Sequence, residues 1–295
     1  MLRDRVQSSQ NLLLSKFVYL TINTNNIIQK KLLIVINLWY YFYMRYEKII
    51  KAEFIERPNR FVAVCRVENE AVRVHVKNTG RCRELLVPGA AVYLEDFEGR
   101  MGSRKMRYSL IGVEKEIDSG TLMINMDSQA PNKAACEALK DGIIKLRGME
   151  EPLTVRAEKT FGDSRFDFYA EDEDGNKAFI EVKGVTLEDK GIASFPDAPT
   201  QRGVKHIKEL IRAAESGYNT YIVFIIQMEE MKEFRPNDQT HREFGDALRE
   251  ASKHGVEILA YECEVGSDFM TVKKSVPVNI FYETNQMANA SNIYD

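Results

Sequence analysis

The stretch RFDFYAEDEDGNKAFIEVK, Arg165 to Lys183, decides the fold. Two apolar runs flank an Asp-Gly-Asn turn, the pattern of a β-hairpin. Charge breaks both runs: Asp167 in the first, Glu181 and Lys183 in the second. In RFDFY, alternation predicts Phe166 and Phe168 on one face, with Arg165, Asp167 and Tyr169 on the other. In AFIEVKG it sets Ile180 and Val182 against Phe179, Glu181 and Lys183. A two-residue turn would send Asp167 to the wrong side. The turn Asp174-Gly175-Asn176 puts it across from Lys183. The expectation is an odd-length turn or a bulge, with Asp167, Glu181 and Lys183 on one face.

Two readings fit that face. One is a solvated ladder of Asp, Glu and Lys, worth a few tenths of a kcal/mol per pair. The other is a site for Mg²⁺ or Mn²⁺ at the edge of a sheet. Mg²⁺ takes one or two carboxylates and completes its shell with water and phosphate oxygens. A lysine beside them can orient an attacking water and stabilise phosphate charge. The helix after the hairpin, TQRGVKHIKELIRAAESG, bears on the choice. Val204, Ile207 and Ile211 make its core stripe, and Arg202, His206 and Glu209 fall together opposite. That second face is either solvated or, beside carboxylates, suited to binding phosphate through Arg202 and His206.

Further out, the chain divides. Residues 46–126 carry closely spaced short strands, such as FVAVCRVE, AVRVHVK and RYSLIGVEK, which predict a small barrel. APNKAACEALKDGI reads as a linking helix. From Leu153, strands alternate with helices around the continuous apolar run TYIVFIIQ, a buried central strand. The fold class is therefore α+β: a barrel, then an α/β domain with a mixed sheet. The expected boundaries are 44–127 for the barrel, 128–152 for the linker, 153–278 for the α/β domain and 279–295 for a polar tail. Residues 1–43 differ in composition, with no Gly or Pro, and are expected to be a non-native or disordered extension, with Met44 as the true start and a weak membrane anchor as the alternative. Their apolar run Leu32–Met44 is shorter than the ~20 residues a spanning helix needs.

The chain has 295 residues and a formal net charge of −3. Without the five basic residues and one acid of the first 43 positions, the remainder carries −7. No global basic field points to nucleic acid, so local patches must. RMGSRKMRY offers Arg104, Lys105 and Arg107 beside Tyr108, a loop suited either to tracking a single strand or to plain solvation. NTGR, at Asn78, is either a tight turn with Asn78 and Gly80 left-handed or a mount for Arg81 and Arg83 against phosphate. Four scattered cysteines show no zinc spacing and read as reduced thiols in a cytoplasmic protein. EDEDG lacks the spacing of an EF-hand and reads as an acidic turn. No phosphate loop, nucleophile elbow or HExxH helix is present.

FIEVKGVTL, FPDAPTQRGVKHIKEL, GVEILAY and KKSVPV, with NTGRCRELLVPGA before them, resemble the sugar fermentation stimulation protein family. The resemblance runs from about Met44 to Val278. It implies an OB-like barrel followed by a PD-(D/E)xK nuclease-like domain, DNA binding without marked sequence preference, and a role in sugar-utilisation gene expression. It carries Asp167 over as the metal-binding aspartate, Glu181 and Lys183 as the ExK, and Glu158 as an additional acid. Here Phe166-Asp167 stands where the family of nucleases usually has Pro-Asp. The expected partner is DNA, with a homodimer as the oligomer to test and no stable membrane association. Turnover is left open: a non-catalytic DNA-binding regulator and an RNA-directed phosphodiesterase are the alternatives.

Overall fold

The structure is a computed structural model that describes residues 44–78 and 80–281. The expectation of a non-native extension concerns 1–43, which lie outside the described residues. Six strands open the chain: β1 (Ile49–Asn59), β2 (Val62–Val67), β3 (Glu70–Val76), β4 (Ala91–Asp96), β5 (Tyr108–Ile117) and β6 (Gly120–Asn125). Their order is β3-β2-β1-β4-β5-β6, and a parallel pairing of β3 with β5 closes the first five into an OB-type barrel. Val74 and Val76 point inward as the alternation of AVRVHVK requires, while Arg73 is exposed.

Helix α1 (Ala130–Lys140) follows. Its alanines at 130, 134, 135 and 138 form a narrow apolar stripe that lets it lie close on the next sheet. That sheet has the order β15-β14-β12-β9-β8-β7, built from β7 (Thr154–Phe161), β8 (Ser164–Glu171), β9 (Lys177–Val185), β12 (Asn219–Ile226), β14 (Glu257–Val265) and β15 (Met270–Ser275). β9, β12 and β14 run parallel and the outer pairs antiparallel, so the sheet is mixed. From Thr220 on, β12 is wholly buried because helices cover both faces. A small second sheet joins β10 (Leu187–Asp189), β11 (Ile192–Phe195) and β13 (Glu233–Pro236), none of which periodicity revealed.

Helix α2 (Gln201–Glu215) starts where the Thr200 side chain accepts from Gly203 N at 3.1 Å. Helix α3 (Asp238–Lys253) starts earlier than its apolar stripe indicates, because Asn237 caps it and a kink at His241 interrupts it. One apolar cluster runs from the barrel interior (Phe54, Leu94, Leu110) to the α2–α3 side of the sheet (Phe166, Phe224, Phe244). A second lies under α1. Among the described residues no helix is long and apolar enough to cross a membrane. All four cysteines are free.

Candidate active site

The hairpin departs from its expected register. Glu171 pairs with Lys177, leaving a five-residue connection, and the ladder continues to Phe168 opposite Ile180. The connection is odd in length, but its extra two residues slide Asp167 one same-face position, toward Glu181 rather than Lys183. There the β8–β9 ladder stops. Val182 N, free of that ladder, donates to Asp167 Oδ2 at 2.8 Å. On the other side of β8, Glu158 holds φ 56. The strand twists at this point, so Phe166 and Phe168 do not share a face: Phe166 packs with Phe179 under α2, Phe168 under α1. Strict alternation missed this because it has no term for a side chain replacing a ladder bond. β8 and β9 are interior strands of the sheet, not its edge.

The place where β8 leaves β9 opens a cleft of about 270 Å³. Asp167, Glu181, Lys183 and Glu158 line it, with Arg202 and His206 from α2 and Ser128, Pro131 and Asn132 from the start of α1. Asp167 Oδ1 accepts from Asn132 Nδ2 at 2.8 Å, so both its oxygens are oriented. Glu181 is 2% exposed. Its Oε1 accepts from Lys183 Nζ and pairs with His206 Nδ1. Its Oε2 is buried without a hydrogen-bond partner.

Burial raises the Asp167 carboxyl above its ordinary value, and the Glu181 charge adds to that. Burial also pushes Glu181 up, but His206 and Lys183 outweigh it and hold that carboxyl below its ordinary range. Two adjacent carboxylates, one carrying an orphaned oxygen, fit a hard dication that keeps water or phosphate oxygens in its shell. Among the described residues no group of three or more His, Cys, Asp or Glu gathers into an all-protein cage.

The remaining expected residues divide. Glu158 lies on the cleft rim, exposed and 3.4 Å from Arg165. Arg202 is exposed at the mouth. His206 is buried against Glu181 rather than presented to a phosphate, and Glu209 is also buried, so the polar face of α2 turns inward. In the barrel, Arg107 is bound by Asp96 at 2.7 and 2.8 Å and by Glu98 at 3.0 Å, and lies 5.0 Å from the Tyr108 ring. Arg104 lies 3.6 Å over the Phe97 ring and donates to Ser109 Oγ at 2.5 Å. Lys105 is exposed. Arg81 and Arg83 are exposed, and the left-handed residue between them is Cys82 (φ 45), not Asn78 or Gly80.

Sequence reasoning missed Asn132 and Ser128. Nothing in PNK or DSQ marks a residue whose neighbours arrive from 35 positions later. Gly184 was also missed. A Cβ there would stand 2.6 Å from both Gln227 Oε1 and Pro131 Cγ, so glycine is what lets α1 approach the cleft.

A closed OB barrel, an α/β domain with a mixed sheet and a carboxylate–lysine cleft at a strand fork define the class. Family models agree: one described as the SfsA N-terminal OB domain matches residues 55–124, and one described as the sugar fermentation stimulation protein RE domain matches 129–269. The chain belongs to the sugar fermentation stimulation protein family. It is 51% identical over 238 residues to a sugar fermentation stimulation protein homolog of Desulfitobacterium hafniense, covering 78% of this chain and 98% of that one. A Clostridium acetobutylicum homolog is 49% identical over 227 residues, covering 77% and 95%. The solved structure of Pyrococcus furiosus SfsA in complex with Ca²⁺ matches with a TM-score of 0.69 at 29% identity, covering 80% of this chain and 98% of that one.

Proposed function

We propose that the chain is a divalent-metal-dependent phosphodiesterase acting on DNA without marked sequence preference, in the reducing cytoplasm, and that it affects sugar-utilisation genes through this contact. The observation that carries this reading is the Glu181 carboxylate. It is buried in the cleft wall, one oxygen engaged by two partners and the other by none. A buried polar atom left unpaired costs about 1–3 kcal/mol, more when charged, unless something occupies it. The Ca²⁺ in the related structure is a hard dication with the same oxygen preference.

Asp167 and Glu181 would hold Mg²⁺ or Mn²⁺. When bound, that ion neutralises phosphate charge and makes water a nucleophile near neutral pH. Lys183 Nζ, anchored on Glu181, orients the water and donates to a non-bridging phosphate oxygen. His206 fixes Glu181 Oε1 and so keeps Oε2 available. Arg202 takes a flanking phosphate at the mouth. Glu158 assists from the rim. In the barrel, Arg81 and Arg83 are the basic groups best placed for the strand.

The test uses the full chain with labelled single-stranded DNA, duplex DNA and RNA in Mg²⁺, Mn²⁺ or EDTA, beside Lys183→Ala and Asp167→Ala. DNA cutting that needs metal and vanishes in both variants is expected. Binding in every sample without cutting would instead make the chain a DNA-binding regulator. Cutting of RNA in preference to DNA would make it an RNA-directed phosphodiesterase. Light scattering on the same sample decides between monomer and homodimer.

A further inference from the structure

The β1–β2 turn of the barrel carries an aromatic ring that the core does not use. Phe61 is 46% exposed, and the Arg60 guanidinium lies 4.7 Å from its ring centroid. We propose that Phe61 and Arg60, with Arg81 and Arg83, form a stacking platform that holds an unpaired stretch of nucleic acid as it leads into the Asp167–Glu181 cleft. The proposal rests on the reading of the partner as nucleic acid and specifies where, and in what form, the strand is held.

The platform is rigid. Phe61 N donates to Asn59 Oδ1 at 2.9 Å, and Phe61 O accepts from Val76 N at 2.9 Å, so the backbone under the ring is pinned on both sides. Arg57 then ties two separate turns together. Its Nη2 donates to Arg60 O at 2.9 Å and Asn78 O at 2.7 Å. Its Nη1 donates to Gly80 O at 2.8 Å and Arg81 O at 2.9 Å. One guanidinium thus binds four carbonyls and fixes the Phe61 ring relative to the Arg81 backbone. An aromatic face held in place loses little entropy when a base stacks on it.

The platform also adjoins the cleft. A Cβ on Gly80 would lie 2.1 Å from Asp197 Oδ2, so the 78–83 segment touches the loop before α2. A small cavity between them is lined by Asn78, Asp197 and Gly184, and Gly184 is itself a wall of the main cleft. On the other side, Ser128 of the cleft wall donates to Lys77 O at 2.9 Å. The small cavity beside Asn78 and the main cleft thus share Gly184 as a common wall, one residue from Lys183. Arg60, Arg81 and Arg83 are exposed on this rim, cations that fit a phosphate backbone. Flat ring plus arginine is the combination that binds single strands independently of sequence, because every base offers a π face. A duplex keeps its bases stacked on each other and cannot use it.

The experiment is fluorescence anisotropy of a labelled oligo-dT and of a blunt duplex with the full chain in EDTA. The variants are Phe61→Ala, Phe61→Tyr and Arg81→Ala. Phe61→Ala is expected to lose about tenfold in oligo-dT affinity, Phe61→Tyr to keep it, and duplex binding to be unaffected by either. Arg81→Ala should weaken oligo-dT binding and flatten its salt dependence by about 0.7 in log–log slope. Because Phe61 is exposed, its removal leaves the core intact, and the tyrosine variant separates stacking from folding. Unchanged oligo-dT affinity in Phe61→Ala and Arg81→Ala would overturn the proposal, as would equal loss of duplex binding. If no sample binds any oligonucleotide, platform and nucleic-acid partner fall together. If binding depends on Phe61 but no metal-dependent cutting occurs, the hydrolytic reading fails and the platform stands.

Discussion

The cleft of the α/β domain and the β4–β5 loop of the barrel are both dense in charge, and they use it in opposite ways. In the loop, charges cancel locally. Arg107 is held by Asp96 and Glu98, and Arg100 by Glu47 at 3.1 Å and Glu95 at 3.5 Å. Arg104 spends its face on Phe97. In the cleft, two donors crowd onto one oxygen of Glu181 and leave the other with none. An orphaned acceptor oxygen, rather than charge itself, marks the cleft; the loop's own orphaned atom, Arg104 Nε, is a donor and cannot ligate a cation. A loop whose ion pairs are complete has little to offer a ligand, because binding must first break them.

The sharpest way to break this contrast is Glu181→Gln, which keeps the shape and removes the charge. A loss of turnover on the order of a thousandfold is expected, as for removal of a principal electrostatic group. Calorimetric Mn²⁺ binding should be lost with it; a variant that still binds Mn²⁺ like the parent would make the cleft another brace. Next comes Asn132→Ala. Asn132 only orients Asp167, so Mn²⁺ affinity should fall by about tenfold, the usual cost of losing a partner of a metal ligand. No change would mean that Val182 N alone positions the carboxylate.

Arg107→Ala tests the brace. The Arg107 guanidinium holds the Asp96 carboxyl well below the usual carboxylate range, against the effect of burial, with Lys48 helping at 2.9 Å. A carboxyl depressed in the folded state contributes stability above its unfolded value, and that stability is lost as pH falls through the folded value. Without Arg107 the folded value rises, so acid unfolding followed by circular dichroism should begin at higher pH. An unshifted acid limb would show that Lys48 suffices. The smallest effect belongs to Lys105→Ala. If the loop is a brace, oligo-dT affinity should change by less than about twofold and the salt slope stay the same; a slope lower by about 0.7 would return the loop to the strand path.

Much of the candidate site was legible in Arg165–Lys183. Charges inside otherwise apolar strands stand out against period-two alternation, and α2 shows its polar residues at helical spacing. The register was legible only in parity. Asp172 accepts from Asn176 N at 2.8 Å and from Asn176 Nδ2 at 2.9 Å, closing a five-residue connection that Asp174-Gly175-Asn176 does not announce. The direction of the α2 polar face was not legible either. Arg202, His206 and Glu209 look solvated in isolation, and only the packing of β8 against the helix buries His206 and Glu209. For the Arg107 and Tyr108 loop the sequence left strand tracking and solvation open, because its acidic partners, Asp96 and Glu98, lie outside the quoted motif.

By itself the sequence determined most of the main elements, the fold class and the three charged positions of the hairpin. These depend on side-chain periodicity and turn chemistry, which act over a few residues. Tertiary structure alone decided which oxygen of Glu181 stays unpaired, that Asn132 steers Asp167, and that Arg57 joins Phe61 to the 78–83 segment. Those outcomes depend on groups 21 to 35 residues apart meeting within hydrogen-bond reach. Hydrogen bonding is directional and short-ranged, so the pairing of such groups is set only when the whole chain has packed.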